Sequence, residues 1–157
     1  MEKAQVLALL DGERVRLDAA LDRIPHERML APGVAGDWSA KDVVAHITWA
    51  EREMIGVLRA RALVGSEHWR LSQDERNAAV YAENRDRSLD ETLTDARDVF
   101  TTLRAEMARL SDAEWNDPTL IAGVPGGLAP WQLLAGNTWR HYEEHLPALQ
   151  ALAEAAR

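Results

Sequence analysis

The 157-residue chain has no cysteine, which removes disulfides, thiolate metal sites and a protein-borne thiol nucleophile together. Any metal ligands must come from His, Asp or Glu. No apolar run approaches the roughly 18 residues that would suggest a membrane span, and Met1-Glu-Lys-Ala-Gln5 lacks the basic and apolar regions of a secretory leader. There is no Lys/Arg block either: 18 basic residues against 26 acidic ones leave a net charge of −8, which disfavours a phosphate backbone as partner. A soluble cytoplasmic protein follows, with neither nucleic acid nor membrane as a partner. One Phe and two Tyr against six Trp leave indole as the main aromatic surface. Strand-like alternation, repeats and low-complexity tracts are missing as well.

What is present has the helical period. Val6, Leu10, Leu17, Leu21 and Ile24 recur at steps of three, four or seven and predict a first helix over residues 3 to 23, closed by Pro25. After the turn-rich Ala31-Pro-Gly-Val-Ala-Gly36, Ser39 caps a second helix that runs to about Leu63, with Asp42 in its first turn. The polar stretch through His68, Trp69 and Asn84 reads as a short helix or ordered crossover. Ser88-Leu-Asp-Glu91 is a capping-box pattern for a third helix ending near Leu110. Ser111 to Glu114 forms one more turn, residues 116 to 129 form a Pro- and Gly-bearing loop, and Pro130 suits the first turn of the fourth helix. The expected fold is all-α: residues 1 to 157 as a single four-helix bundle with crossover connections.

The most informative segment is His141-Tyr-Glu-Glu-His145. Two imidazoles four residues apart lie one turn apart on one helix face, close enough to hold one metal ion. Five histidines give such a pair by chance in about one of six chains of this composition, so the pair needs a partner and a context. At 100° per residue, both histidines fall on the face carrying Leu134, Thr138, Leu149 and Leu152. His46 borders the apolar stripe of the second helix, which includes Val43, Ala50 and Val57, and is flanked by Trp49 and Glu53. A third ligand from that helix is compatible with bundle geometry, and three neutral imidazoles leave open coordination positions.

The residues around the three histidines are pocket candidates with plainer alternatives. Trp49, like Trp38, is a packing residue or a wall. Glu53 is a general base or a solvated carboxylate. Asn137 can satisfy a core histidine. Tyr142, about 100° from His141, bonds a ligand or packs, and Glu144 can reach the rim, whereas Glu143 faces away. A zincin is excluded because its base follows the first His directly, where this chain has Tyr142. His26 and His68 receive no role. Pro147 lacks the N–H that would bond the Glu143 carbonyl, which predicts a kink or bulge just beyond His145.

The run Gly36-Asp-Trp-Ser-Ala-Lys-Asp-Val-Val-Ala-His-Ile-Thr-Trp-Ala-Glu51 resembles the second-helix signature of the DinB/YfiT-like superfamily, with His46 at its metal-binding position. Asn137-Thr-Trp-Arg-His-Tyr-Glu-Glu-His-Leu-Pro147 resembles the fourth-helix signature, most closely that of the ClbS/DfsB branch, and matches the other two ligands with His141 and His145. Asn77 to Leu93 is similar to that branch too. The resemblance implies a bound metal and relatives that include metal- and thiol-dependent transferases and isomerases such as the mycothiol-dependent maleylpyruvate isomerase group. Imidazole ligands suit zinc, nickel and iron alike, and the divalent transition metal expected here is zinc or nickel. It also implies a homodimer. With no cysteine in the chain, the thiol would be an external small molecule.

The functional expectation is a metal-dependent transferase, isomerase or hydrolase acting on a small reactive electrophile, in a detoxification-type role. The sequence assigns no catalytic residue. The alternatives are a small-molecule binding or sequestering protein, whose ligand would sit against the indoles, and a stress-associated structural protein.

Overall fold

The computed structural model describes residues 1–155 and is all-α, without a strand among them. Four long helices form the bundle, with shorter helices in the connections. In chain order these are α1 (Lys3–Leu21), α2 (His26–Met29), α3 (Ala40–Ala60), α4 (Gln73–Asn84), α5 (Leu89–Arg109), α6 (Asp112–Trp115), α7 (Pro130–Ala135) and α8 (Trp139–Glu154). Reciprocal capping boxes start α3 (Ser39 with Asp42), α4 (Ser72 with Glu75) and α5 (Ser88 with Glu91), so the polar residue and the acid three positions on satisfy orphan N–H groups at each entry.

Ion pairs fix the helix directions. Arg52 pairs with Asp95 and Arg59 with Glu106, so positions advance together and α3 runs parallel to α5. Asp11 pairs with Arg104, and Arg14 donates to the Ala96 carbonyl at 3.3 Å, which makes α1 antiparallel to α5. Parallel neighbours that follow one another in sequence need a crossover, and residues 61–88, with α4, supply it. Arg61 ends α3 in the left-handed region (φ 50°), two residues short of the Leu63 expected from the pattern. From there Leu63 N–H bonds the Ala122 carbonyl at 2.7 Å, tying this crossover to the loop before α7.

The core holds Val6, Leu10, Met54, Leu103, Met107, Trp115, Leu134 and Leu149, each fully buried or nearly so. Within it runs a polar thread. Arg14 reaches Glu51 (3.6 Å) and Asp18 (2.9 Å), and the Tyr142 hydroxyl donates to the Glu51 carboxylate. Burial pushes Glu51 up to about 7, against the opposing effects of Arg14 and the Tyr142 bond. Lys41 is nearly buried as well, and its ammonium donates to the carbonyls of Asn84, Arg85 and Arg87 at 2.6–3.4 Å, closing the end of α4 as a C-terminal cation should. That bond set holds α4 against α3.

The fourth long helix departs from expectation. It does not run on from Pro130: α7 stops at Ala135, residues 136–138 form a turn, and Thr138 has φ −134° and ψ −109°. Beyond it α8 continues without interruption through Pro147. Pro147, where a kink or bulge is expected, does not interrupt α8, and the interruption of the fourth helical segment lies before His141. Pro147 and Glu143 are both exposed, on the side of α8 away from the core, where loss of one backbone hydrogen bond is tolerated most easily.

Candidate metal centre

His46 comes from the second turn of α3, His141 and His145 from the start of α8, and antiparallel packing of these helices sets them face to face. The break at Thr138 starts α8 afresh three residues before His141. The Nε2 atoms of His46 and His141 are 2.9 Å apart, and those of His141 and His145 are 3.1 Å apart. One ligand nitrogen from each of the three residues lies within 4.8 Å of the others. His141 is buried and the other two are half-buried.

Hydrogen bonding alone does not account for this convergence. A neutral ring nitrogen carries one hydrogen or one lone pair, never both. His141 Nε2 therefore cannot act as acceptor to one neighbour and donor to the other. Charging a ring is also disfavoured: burial, then the neighbouring imidazoles, push His141 down to about 3; burial, then His145, push His46 down to about 4. Burial lowers His145 too, opposed by Glu144. Three neutral imidazoles with their Nε2 atoms turned to one point could hold a shared cation. Two nitrogen ligands about 2.0–2.1 Å from one ion are separated by about 2.9 Å at a right angle and about 3.4 Å at the tetrahedral angle, a range that takes in the observed 2.9 and 3.1 Å. The donor set fits a divalent transition metal. Among the described residues the Nδ1 atoms of His46 and His141 are buried without a hydrogen-bond partner, so no carboxylate of those residues orients these rings as is common at zinc sites.

A two-lobed cavity opens onto this cluster. One lobe, about 330 Å³, is bounded by Ala35 and Trp38; the other, about 380 Å³, by Trp49, Ala50, Arg76, Gly136 and Asn137. Both share His46, His141, Glu144 and the α4 residues Gln73 and Asn77. Trp38 and Trp49 flank the His46 ring at centroid distances of 5.2 and 6.5 Å, and Tyr81 stacks on Trp38. A separate cavity of about 370 Å³ between α1, α3 and α5, lined by Leu17, Ile47 and Leu93 among others, does not include the histidines.

The structure brings His46, His141, His145, Trp49, Asn137 and Glu144 to this cavity. It does not bring Glu53 or Tyr142. Glu53 accepts the Ser66 N–H at 2.7 Å in a neighbouring polar cleft, where it holds the crossover after α3. Tyr142 points into the core, where its hydroxyl is spent on Glu51. His68, given no role, bonds Glu83 at 2.9 Å. Sequence reasoning missed Gln73, Arg76 and Asn77, which α4 lays across the cluster. The spacing of 73, 76 and 77 puts them on one helix face, but nothing in the spacing says what that face covers.

The DinB superfamily model matches residues 9–148. No curated protein matches the sequence. The fold is similar to the crystal structure of an uncharacterised protein from Escherichia coli UTI89, at 16% identity and a TM-score of 0.81, over 98% of this chain and 94% of that one. At this identity the likeness carries the all-α fold and nothing about chemistry.

Proposed function

This chain belongs to the DinB superfamily, and from that premise we propose that it is a metal-dependent enzyme that transfers an external small-molecule thiol to, or hydrolyses, a small electrophile. The observation that carries the reading is the meeting of three neutral imidazole nitrogens at the base of an open cavity. His46, His141 and His145 would hold the ion, and zinc and nickel both suit an all-imidazole set. A divalent ion with open positions supplies Lewis acidity and lowers the pKa of a coordinated water or thiol towards neutrality.

The chain's own residues do the rest. Burial keeps the imidazoles unprotonated and available as ligands. Trp38 and Trp49 wall off bulk water on both sides of His46 and give a flat apolar electrophile a surface to lie against. Glu144, exposed on the rim of both lobes, can take a proton released at the cluster and pass it to solvent. The ClbS/DfsB-like role in removing reactive metabolites and the homodimer, both implied by the resemblance, and the cytoplasmic location expected from the sequence belong to this proposal.

The test is turnover of an electrophile panel by metal-loaded protein, with and without added thiols, beside His141→Ala. Metal-dependent turnover that His141→Ala abolishes supports the enzyme. A metal-loaded parent that binds panel compounds without converting them, with affinity unchanged in His141→Ala, would make the protein a sequestering one.

A further inference from the structure

Arg76 stands out among the residues lining the cavity. Among the described residues it contributes the cavity's only Lys or Arg side chain, in a protein of net charge −8. Its Nε donates to the His68 carbonyl at 3.2 Å and its Nη2 to the Leu71 carbonyl at 3.3 Å. These bonds to neutral oxygens fix the plane of the guanidinium without neutralising it. No carboxylate of the described residues lies within ion-pair distance, although Arg52 and Arg87, in the adjoining cleft, both engage Asp95. A guanidinium has five N–H donors, so three remain for a ligand. Its neighbours on the same face of α4, Gln73 and Asn77, add neutral amide donors. Glu144 shares the lobe but is exposed and screened by solvent, whereas Arg76 is half-buried.

We infer that the Trp49 lobe is an anion subsite, in which Arg76 binds a carboxylate or similar group on the small molecule whose other end ligates the metal. This rests on the three histidines forming a metal centre, and it adds a substrate class: the ligand in that lobe is an anion with a donor atom at one end. The Trp38 lobe, which has no Lys or Arg among its described lining residues, is left for the second reactant. Arg76 is on this account a recognition residue and takes no part in bond making. A fixed, partly desolvated fork is the arrangement that recognises a carboxylate most strongly.

The experiment uses the full chain loaded with cobalt(II), whose visible spectrum reports ligand exchange and shows a charge-transfer band when a thiolate binds. Mercaptoalkanoates from mercaptoacetate to mercaptohexanoate are titrated beside mercaptoalcohols of equal length, in the parent, Arg76→Gln and Arg76→Lys. In the parent, at least one mercaptoalkanoate should bind roughly ten- to a hundredfold more tightly than its alcohol, as expected for one charge-assisted pair. Arg76→Gln should erase that preference while leaving mercaptoalcohol affinity and the cobalt spectrum unchanged, and Arg76→Lys should keep part of it. Equal affinities in the parent, or a preference that survives Arg76→Gln, overturn the subsite while a thiolate band leaves the metal centre standing. Cobalt that binds but admits no thiol, or no cobalt at all, overturns the subsite together with the function it rests on.

Discussion

Glu51 and Arg14 occupy positions that the helical period reserves for apolar side chains, and each is tolerated because the other is there. Arg14 falls between Leu10 and Leu17 on α1, and Glu51 between Ile47 and Ile55 on α3. With Tyr142 they form a buried polar thread close behind His141. Glu51 is an acid whose folded-state pKa is raised, to about 7 from 4.5. The folded state therefore holds a proton that the unfolded state has released, and the contribution of Glu51 to stability falls as pH rises from about 4.5 to about 7. Glu51→Gln should remove this dependence. Denaturant unfolding of the metal-free parent and variant at pH 5 and pH 8 should show the variant gaining, relative to the parent, on the order of 2–3 kcal/mol at the higher pH. A constant difference between the two would place a permanently charged Glu51 in the core. The two charges were readable as interruptions of apolar stripes, but their pairing was not, because it depends on which helices meet. The histidines show the same limit: spacing put His141 and His145 on one face, while the 2.9 Å approach of His46 comes from the packing of α8 against α3.

Among the elements, the fourth long helix departs most from its pattern. Gly136-Asn137-Thr138 carries turn-prone residues, yet the apolar period continues across it from Leu134 to Thr138 and His141 and hides the break. Pro147, the residue that predicts a kink or bulge, does not interrupt α8. It sits at an exposed position inside α8 at a cost in helix energy, so Pro147→Ala should stabilise the protein by about 1–3 kcal/mol. Metal affinity should be unchanged, because the substitution removes no contact to the histidines; a loss of affinity in a competition titration would return Pro147 to a shaping role. Lys41 is the complementary case. As a residue in the first turn of α3 it looked unremarkable, yet it is nearly buried and caps the last carbonyls of α4. Lys41→Met leaves those carbonyls without their cation and should cost about 2 kcal/mol. Hydrogen exchange should then report faster opening across residues 73–84 than in α1.

For the molecule as a whole, the fold class was legible and the assembly was not. Four amphipathic segments with caps predicted the all-α bundle, and the long middle segment predicted a crossover, because a polar stretch of that length cannot be a tight turn. Nothing local revealed that α3 and α5 run parallel, which Arg52–Asp95 and Arg59–Glu106 record only once the chain is folded. The centre joins α3 to α8, two helices far apart in sequence, so a bound ion should stabilise the native state globally. At a free metal concentration one hundred times the dissociation constant, linkage gives about 2.7 kcal/mol, or roughly 5–10 °C in Tm for a domain of this size. Calorimetry with and without zinc or nickel at pH 7.5 would show this, and the shift should vanish in His141→Ala. In the metal-free protein, His46 and His141 oppose Glu51: their contribution to stability is lost as pH falls below about 6.5, since they have lowered pKa values and resist protonation in the folded state down to about 4 and about 3.

The central claim is that His46, His141 and His145 are ligands, and metal content tests it most directly. Protein purified without a polyhistidine tag, equilibrated with zinc or nickel and freed of excess, should carry about one equivalent per chain, and a folded variant with all three histidines changed to Ala should carry none. A parent that stays metal-free after equilibration, or a triple variant that retains the same equivalent, would contradict the account and make the three imidazoles pocket residues.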